Sequence, residues 1–333
     1  MNRRTMLAQI LALGAAPYVL SARAQPLSNK PVTLIVPFAP GGNLDVVARA
    51  IAPALEQNLG RNVIVDNRPG AGGVIGASAV ARAEPDGSTL LVTTPNAVVV
   101  LPRMTRTNFK LASFSPVGLM STTSLVVVVK GGDTRFKDVE ALLAYARANP
   151  GKLAAGHAGP GTTNHMALLQ LEDAARIRLN QVPYKGSAPA LVDLMGGQID
   201  MVVDQLTSSA PHIQSGALRA LAVMSRDRDA TLPKVPTLRE AGLSNFEATT
   251  ATGLLAPAGT PAGVVDTINT ALRKALAEGS VKSRLQNVGS VAQASSPQEL
   301  LASLQKEDAR AQAAGSRRPN NHAPRHLNKR KKP

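Results

Sequence analysis

The chain has 333 residues with a formal charge of +15, and its 44% hydrophobic content suffices for one large or two ordinary domains, so disorder throughout is excluded. Seven basic residues lie between Gly315 and Pro333 and three more (Arg3, Arg4, Arg23) near the N-terminus, which leaves +5 for the body; with aromatics at 2% and no Trp, nucleic-acid binding by base stacking has no support. Cysteine is absent, which removes disulfide scaffolds, thiol nucleophiles, Cys-based zinc or iron–sulfur sites and a lipoprotein anchor.

Residues 1–24 read as a secretory signal peptide. A charged start (Met-Asn-Arg-Arg) precedes the apolar run Met6 to Leu20, and small residues at Ala22 and Ala24 place the cut after Ala24. The run is too short to span a bilayer and no later stretch is long enough, so the mature chain is expected to be soluble in the periplasm. Arg3-Arg4 leaves Sec and twin-arginine export both open.

After the leader, β-branched runs alternate with helical patterns: strand Val32 to Val36, helix Val46 to Leu59, strand Val63 to Val65, helix Val74 to Arg82, strand Thr89 to Thr93. That grammar predicts a parallel sheet covered by helices, with ligands at the carboxyl ends of strands. A second set follows. Strand Leu125 to Val129 leads to helices Val139 to Ala148 and Met166 to Arg178, then strands Ile199 to Val203 and Leu218 to Met224 flank a helix near Ser208 to Ser215. Pro233, Pro236, Pro257 and Pro261 punctuate the chain before helices at Ala262 to Glu278 and Pro297 to about Ala311. Residues 311–333 form a basic tail without apolar periodicity, which is expected to be disordered and not to bind nucleic acid.

Two glycine-rich turns stand before helices. Pro37-Phe38-Ala39-Pro40-Gly41-Gly42 with Asp45 follows the first strand, and Gly159-Pro160-Gly161-Thr162-Thr163-Asn164-His165 opens a helix in the other half. Free N–H groups and the positive end of the macrodipole make each a seat for a carboxylate or phosphate, and two facing seats would close on one small anion. The alternative is a pair of plain strand-to-helix turns, with Asp45 and Thr162 or Thr163 as caps. Gly70-Ala71-Gly72-Gly73-Val74-Ile75-Gly76 fails the dinucleotide fingerprint, because the sixth position is Ile75, and takes a loop role. No Gly-Lys-Ser/Thr, HExxH or Gly-x-Ser-x-Gly is present, so the chain is expected to be no enzyme and to hold no metal or cofactor.

In this order the pieces resemble the Bug family of extracytoplasmic solute receptors, the binding component of tripartite tricarboxylate transporters. The resemblance runs from Pro31 to about Arg310. It is carried by Val36 to Gly42 with Asp45 and Arg49, Val65 to Gly73 with Ile75-Gly76, Asp86-Gly87, Ala148 to Leu153, Gly159 to His165, Val182 to Gly186 and Gly196 to Asp200. It implies an α/β, type II periplasmic-binding-protein fold: two α/β lobes with a central cleft, joined by crossing strands. Residues 25–125 with 226–310 would form lobe I, and 126–225 lobe II. The implied function is a periplasmic receptor that binds a small carboxylate or related organic anion for a tripartite carrier, acting as a monomer; the alternative is a ligand-presenting sensor for a sensor kinase.

By position, the resemblance assigns ligand contacts to Phe38, Ala39, Pro40, Gly41, Gly42 and Asp45, with Thr94 and Asn96, in lobe I. Lobe II would offer Gly161, Thr162, Thr163 and His165, with Tyr184 and Asp204 near the far end of the ligand. An acid at Asp204 would repel a second carboxylate and welcome an amino group. Departures from the family pattern fall at Leu44, His157-Ala158, Pro53, Ser88 and the end of the last helix, which is expected to dissolve after Arg310 with loss of its packing on lobe I.

Overall fold

The computed structural model describes residues 29–316. The leader read at 1–24 and the basic residues from 317 onward lie outside the described residues.

Strand β1 (Val32–Val36) leads into helix α1 (Asn43–Leu59), β2 (Val63–Asn67), α2 (Val74–Ala81), β3 (Thr89–Thr93) and the short helices α3 (Pro95–Val99) and α4 (Leu101–Met104). The strands pair in parallel, β1 between β2 and β3. Helix α1 buries Leu44, Val47, Ala48, Ile51 and Leu55, one face at three- and four-residue spacing. Pro53 sits on its exposed side, and the helix runs through it without a break.

β4 (Phe114–Lys130) is 17 residues long and belongs to both halves. Its first part pairs with β9 (Thr249–Pro257), and its second part with β7 (Met201–Gln205) and β8 (Leu218–Val223). The sequence reading found only Leu125 to Val129. There both faces are buried, Leu125, Val127 and Val129 in one core cluster and Val126 and Val128 in another, so the run is uniformly apolar. The first part carries Pro116, Gly118 and a row of hydroxyl residues, and its register with β9 shifts twice, which hides the period.

Between β4 and β9 the second lobe is built from α5 (Val139–Ala148), β5 (Ala154–His157), α6 (Thr163–Ala175), β6 (Asn180–Pro183), α7 (Ser187–Gly196), β7, α8 (Leu206–Gln214) and β8. β5 lies in parallel between β6 and β7. After β8 the chain stays in this lobe: Leu238 and Phe246 pack with Phe136, Leu142 and Leu168. The return to the first lobe therefore comes not at residue 226 but with β9, which enters its sheet between β3 and β4.

The described residues close with α9 (Ala262–Ala277), α10 (Gly279–Gln286), β10 (Ser290–Ala292), paired with β4, and α11 (Pro297–Ser316). α9 packs on α1 in the core below the first sheet. α11 does not dissolve after Arg310, as the sequence reading expected: its helix reaches Ser316, and Leu300 and Leu304 are buried against Ile35, Leu91, Phe109 and Phe114. Both leucines precede Arg310; beyond it Ala311 packs, partly buried, on the same cluster.

Candidate ligand-binding cleft

The turn from β1 to α1 is held from behind by Asp45. Its carboxylate accepts from Gly41 N at 2.9 Å and from Arg49 Nε at 3.0 Å. Arg49 Nη2 also donates to Asn67 Oδ1 at 2.9 Å, and Asn67 Nδ2 donates to Phe38 O at 3.1 Å. This ring fixes the path of Phe38 to Gly42, and explains why an arginine one helical turn on and an asparagine at the end of β2 accompany the turn. At the start of α1 the first N–H groups have no intrahelical acceptor.

The second turn is held by two histidines. His157 Nδ1 accepts from Gly159 N at 3.2 Å and His165 Nδ1 from Gly161 N at 3.1 Å, with the rings stacked at 4.5 Å. His165 Nε2 meets Gln181 Oε1 at 3.2 Å, which gives a ring whose Nδ1 is an acceptor the proton on Nε2. Burial drives His157 down to about 4, with the second ring adding to the effect, and burial also lowers His165. Both rings are thus neutral at pH 7, as the acceptor role requires. Thr162 caps α6, its hydroxyl accepting from His165 N at 3.3 Å and donating to Gly159 O at 2.6 Å.

The two turns face each other across a closed cleft. Ala39 N donates to Lys185 O at 3.2 Å, a backbone hydrogen bond between the lobes. A Cβ on Gly72 would lie 2.6 Å from Pro160 O, and one on Gly42 3.9 Å from Ser187 Cβ. The glycine cluster that failed as a dinucleotide motif is therefore a close-approach surface for the opposite lobe.

The cleft encloses an inner cavity of about 30 Å³. Of the residues assigned from sequence, Phe38, Gly42, Thr94, Thr162 and Thr163 line it. Ala39, Pro40 and Gly41 shape the turn beside it, with Ala39 spent on the backbone bond across the lobes, and Gly161 packs against Leu101. Asn96 faces a larger chamber of about 640 Å³ beside the hinge, which shares Thr163 with the inner cavity and is also lined by Gln170, Glu247, Glu307 and Arg310.

Four further assigned residues, Asp45, His165, Tyr184 and Asp204, do not line the inner cavity either. Asp45 and His165 hold the turns as described. Tyr184 turns its hydroxyl away to donate to Asp193 Oδ2 at 2.7 Å. Asp204 is fully buried behind the wall, where Oδ1 accepts from Asn164 Nδ2 at 3.2 Å and Oδ2 from Ser208 and Ser209 at 2.6 and 2.5 Å. Burial raises its pKa while the hydroxyl bonds pull the other way. Asp204 thus braces the wall, and its carboxylate is engaged within its own lobe instead of facing the cavity.

The sequence reading missed Asn43, Leu44, Ala158, Asn164, Ser187 and Gln205, which also line the cavity. Ser187 opens α7 after Gly186, a third glycine-to-helix start whose signal was present but unused. Leu44 and Ala158, two of the departures, both stand in the wall, so those departures fall where a ligand would be read. Among the described residues no cluster of His, Asp or Glu could hold a metal.

Residues 47–316 match the family described as "Tripartite tricarboxylate transporter family receptor". A protein encoded in the tcbD-tcbE intergenic region of Pseudomonas sp. strain P51 is 40% identical over 311 residues, 92% of this chain and 91% of that one. Three solved structures superpose closely. The periplasmic binding protein BugD is 33% identical with a TM-score of 0.83, covering 87% of this chain and 97% of its own. MatC from Rhodopseudomonas palustris, with bound malate, is 32% identical at 0.80, covering 85% and 98%. The R. palustris protein Rpa4515, with adipate, is 32% identical at 0.81, covering 87% and 98%.

Proposed function

Since the chain belongs to the tripartite tricarboxylate transporter receptor family, whose members are periplasmic solute-binding receptors, we propose that it closes its two lobes on a small carboxylate and hands it to the membrane components of a tripartite carrier. The observation that carries this reading is the convergence of helix starts from both lobes on a single cavity, with a backbone hydrogen bond between the lobes beside it. Helix-start N–H groups favour an anion, and their placement on both sides couples binding to closure. The malate and adipate bound by two structural neighbours agree in chemistry. Among the described residues no helix is long and apolar enough to cross a membrane. On this reading the receptor acts as a monomer.

The seat takes the carboxylate, and the chamber beyond Thr163 takes the rest of a longer ligand. A dye-based thermal shift against mono-, di- and tricarboxylates, amino acids and aromatic acids tests the reading. A ligand at 100 times its dissociation constant adds about 2.7 kcal/mol of stability. A clear rise with one class of acid is expected; a cooperative melt that no acid moves would refute the proposal.

A further inference from the structure

Asn164, the second residue of α6, is 1% exposed and lines the inner cavity. Its Nδ2 lies 3.0 Å from Val203 O, 3.2 Å from Asp204 Oδ1 and 3.3 Å from Ser187 Oγ. Val203 O and the Asp204 carboxylate accept hydrogen bonds, which fixes the amide: reversing it would set oxygen against oxygen. Oδ1 is therefore the atom on the other side, and it is buried without a hydrogen-bond partner. The neighbouring hydroxyl of Ser187 does not supply one, since it donates to Gln205 Oε1 at 3.3 Å. From the opposite lobe, Asn43 is 3% exposed and brings a second buried amide, one end of which meets the Thr252 hydroxyl at 3.3 Å.

The seat thus mixes two chemistries in about 30 Å³. Backbone N–H groups at the helix starts suit a carboxylate. An amide oxygen opposes it, because a carboxylate oxygen there would meet another acceptor, and a buried acceptor left unpaired is costly. Both demands are met by a ligand that presents a donor on the carbon next to its carboxyl group. We propose that Asn164 is a specificity-determining residue that selects carboxylates whose α-carbon bears a hydrogen-bond donor, a hydroxyl or an ammonium group; the inference rests on the receptor reading above.

The test is calorimetric titration of the purified protein with matched sets of acids: propionate, lactate and alanine; succinate, malate and aspartate; adipate, 2-hydroxyadipate and 2-aminoadipate. Within a set that binds, an α-donor acid should bind at least about tenfold more tightly than the unsubstituted acid, the equivalent of one hydrogen bond. The hydroxy and amino arms show which donor is used. In Asn164→Ala the ratio of the two affinities, both measured on that variant, should shrink to about threefold or less. If Asn164→Ala does not fold, the comparison on the unaltered protein decides alone. Equal or tighter binding of the unsubstituted acid in every set that binds overturns the inference and leaves the receptor reading standing. Binding of no acid in any set overturns the receptor reading, and the inference with it.

Discussion

Substituting Gly72 separates two effects that usually travel together. The residue has φ +65°, so Gly72→Ala carries the left-handed penalty of roughly 1–2 kcal/mol whether the lobes are open or shut. At about 2–4 °C per kcal/mol for domains of this order, the melting temperature should fall by roughly 2–8 °C. The new Cβ would also lie 2.6 Å from Pro160 O, and both this oxygen and the turn carrying it are backbone, so only separation of the lobes relieves the contact. Parting by about 0.5–1 Å forfeits a quarter to a half of each dispersion contact across the cleft. It would also stretch the 3.2 Å bond from Ala39 N to Lys185 O beyond hydrogen-bonding range. One lost backbone bond at roughly 0.5–1.5 kcal/mol, with the dispersion loss beside it, weakens ligand binding about 10- to 100-fold.

Gly60→Ala is the control, since Gly60 has φ +64° and nothing within 4 Å of the added carbon. It should melt lower by a similar amount and bind the best acid of the panel as tightly as the unaltered protein. Calorimetry on the two variants decides. Equal affinities for Gly72→Ala and Gly60→Ala would refute the claim that the closed cleft is the binding state.

Asp204→Ala removes the shared acceptor of Asn164, Ser208 and Ser209, whose donors keep Val203 O and Gln205 O, so chemical denaturation should show a loss of about 1–3 kcal/mol, whereas unchanged stability would mean that Asp204 does not brace the wall. His157, held at about 4 when folded against 6.5 when free, stays neutral in the native state while the unfolded chain takes up a proton. Stability should therefore be full above about pH 6.5 and fall as the pH drops toward 4, and His157→Gln, which keeps an acceptor for Gly159, should flatten that limb in melts between pH 7.5 and 4.5. Leu304→Ala opens the buried contact of the last helix with Phe109 and Phe114 and should cost about 2–5 kcal/mol; a loss below 1 kcal/mol would show that the helix is not part of the core.

The elements easiest to read in the sequence are those whose local pattern and tertiary setting agree. β1, β3 and α5 fall where the β-branched runs and the Pro150-Gly151 stop place them, and Asp138 caps α5 by accepting from Ala141 N. β5 and β6 went unread because Ala-Ala-Gly-His and Asn-Gln-Val-Pro have no strand propensity of their own and are strands only through pairing with each other and with β7. The two glycine turns were legible as helix starts that could face each other. Their supports were not, because the ring from Asp45 through Arg49 and Asn67 to Phe38 joins residues that only folding brings together. Asp204 misled for the same reason: an acid at a strand end looks exposed until Ser208 and Ser209, one turn later, fold back onto it.

The order of strands in the first sheet also dictates the order in which the protein is completed. β3 and β4 do not touch side by side; β9 lies between them and arrives only after the whole second lobe has been threaded through. A chain delivered from its N-terminus can assemble the second lobe while the first still shows two open strand edges. The late segment then closes the gap, and α9 and α11 cover it. Until residue 257 emerges, β3 is an unpaired edge, the kind of template on which chains associate with one another. A chain truncated before β9 should therefore aggregate through its first lobe even though its second lobe is intact.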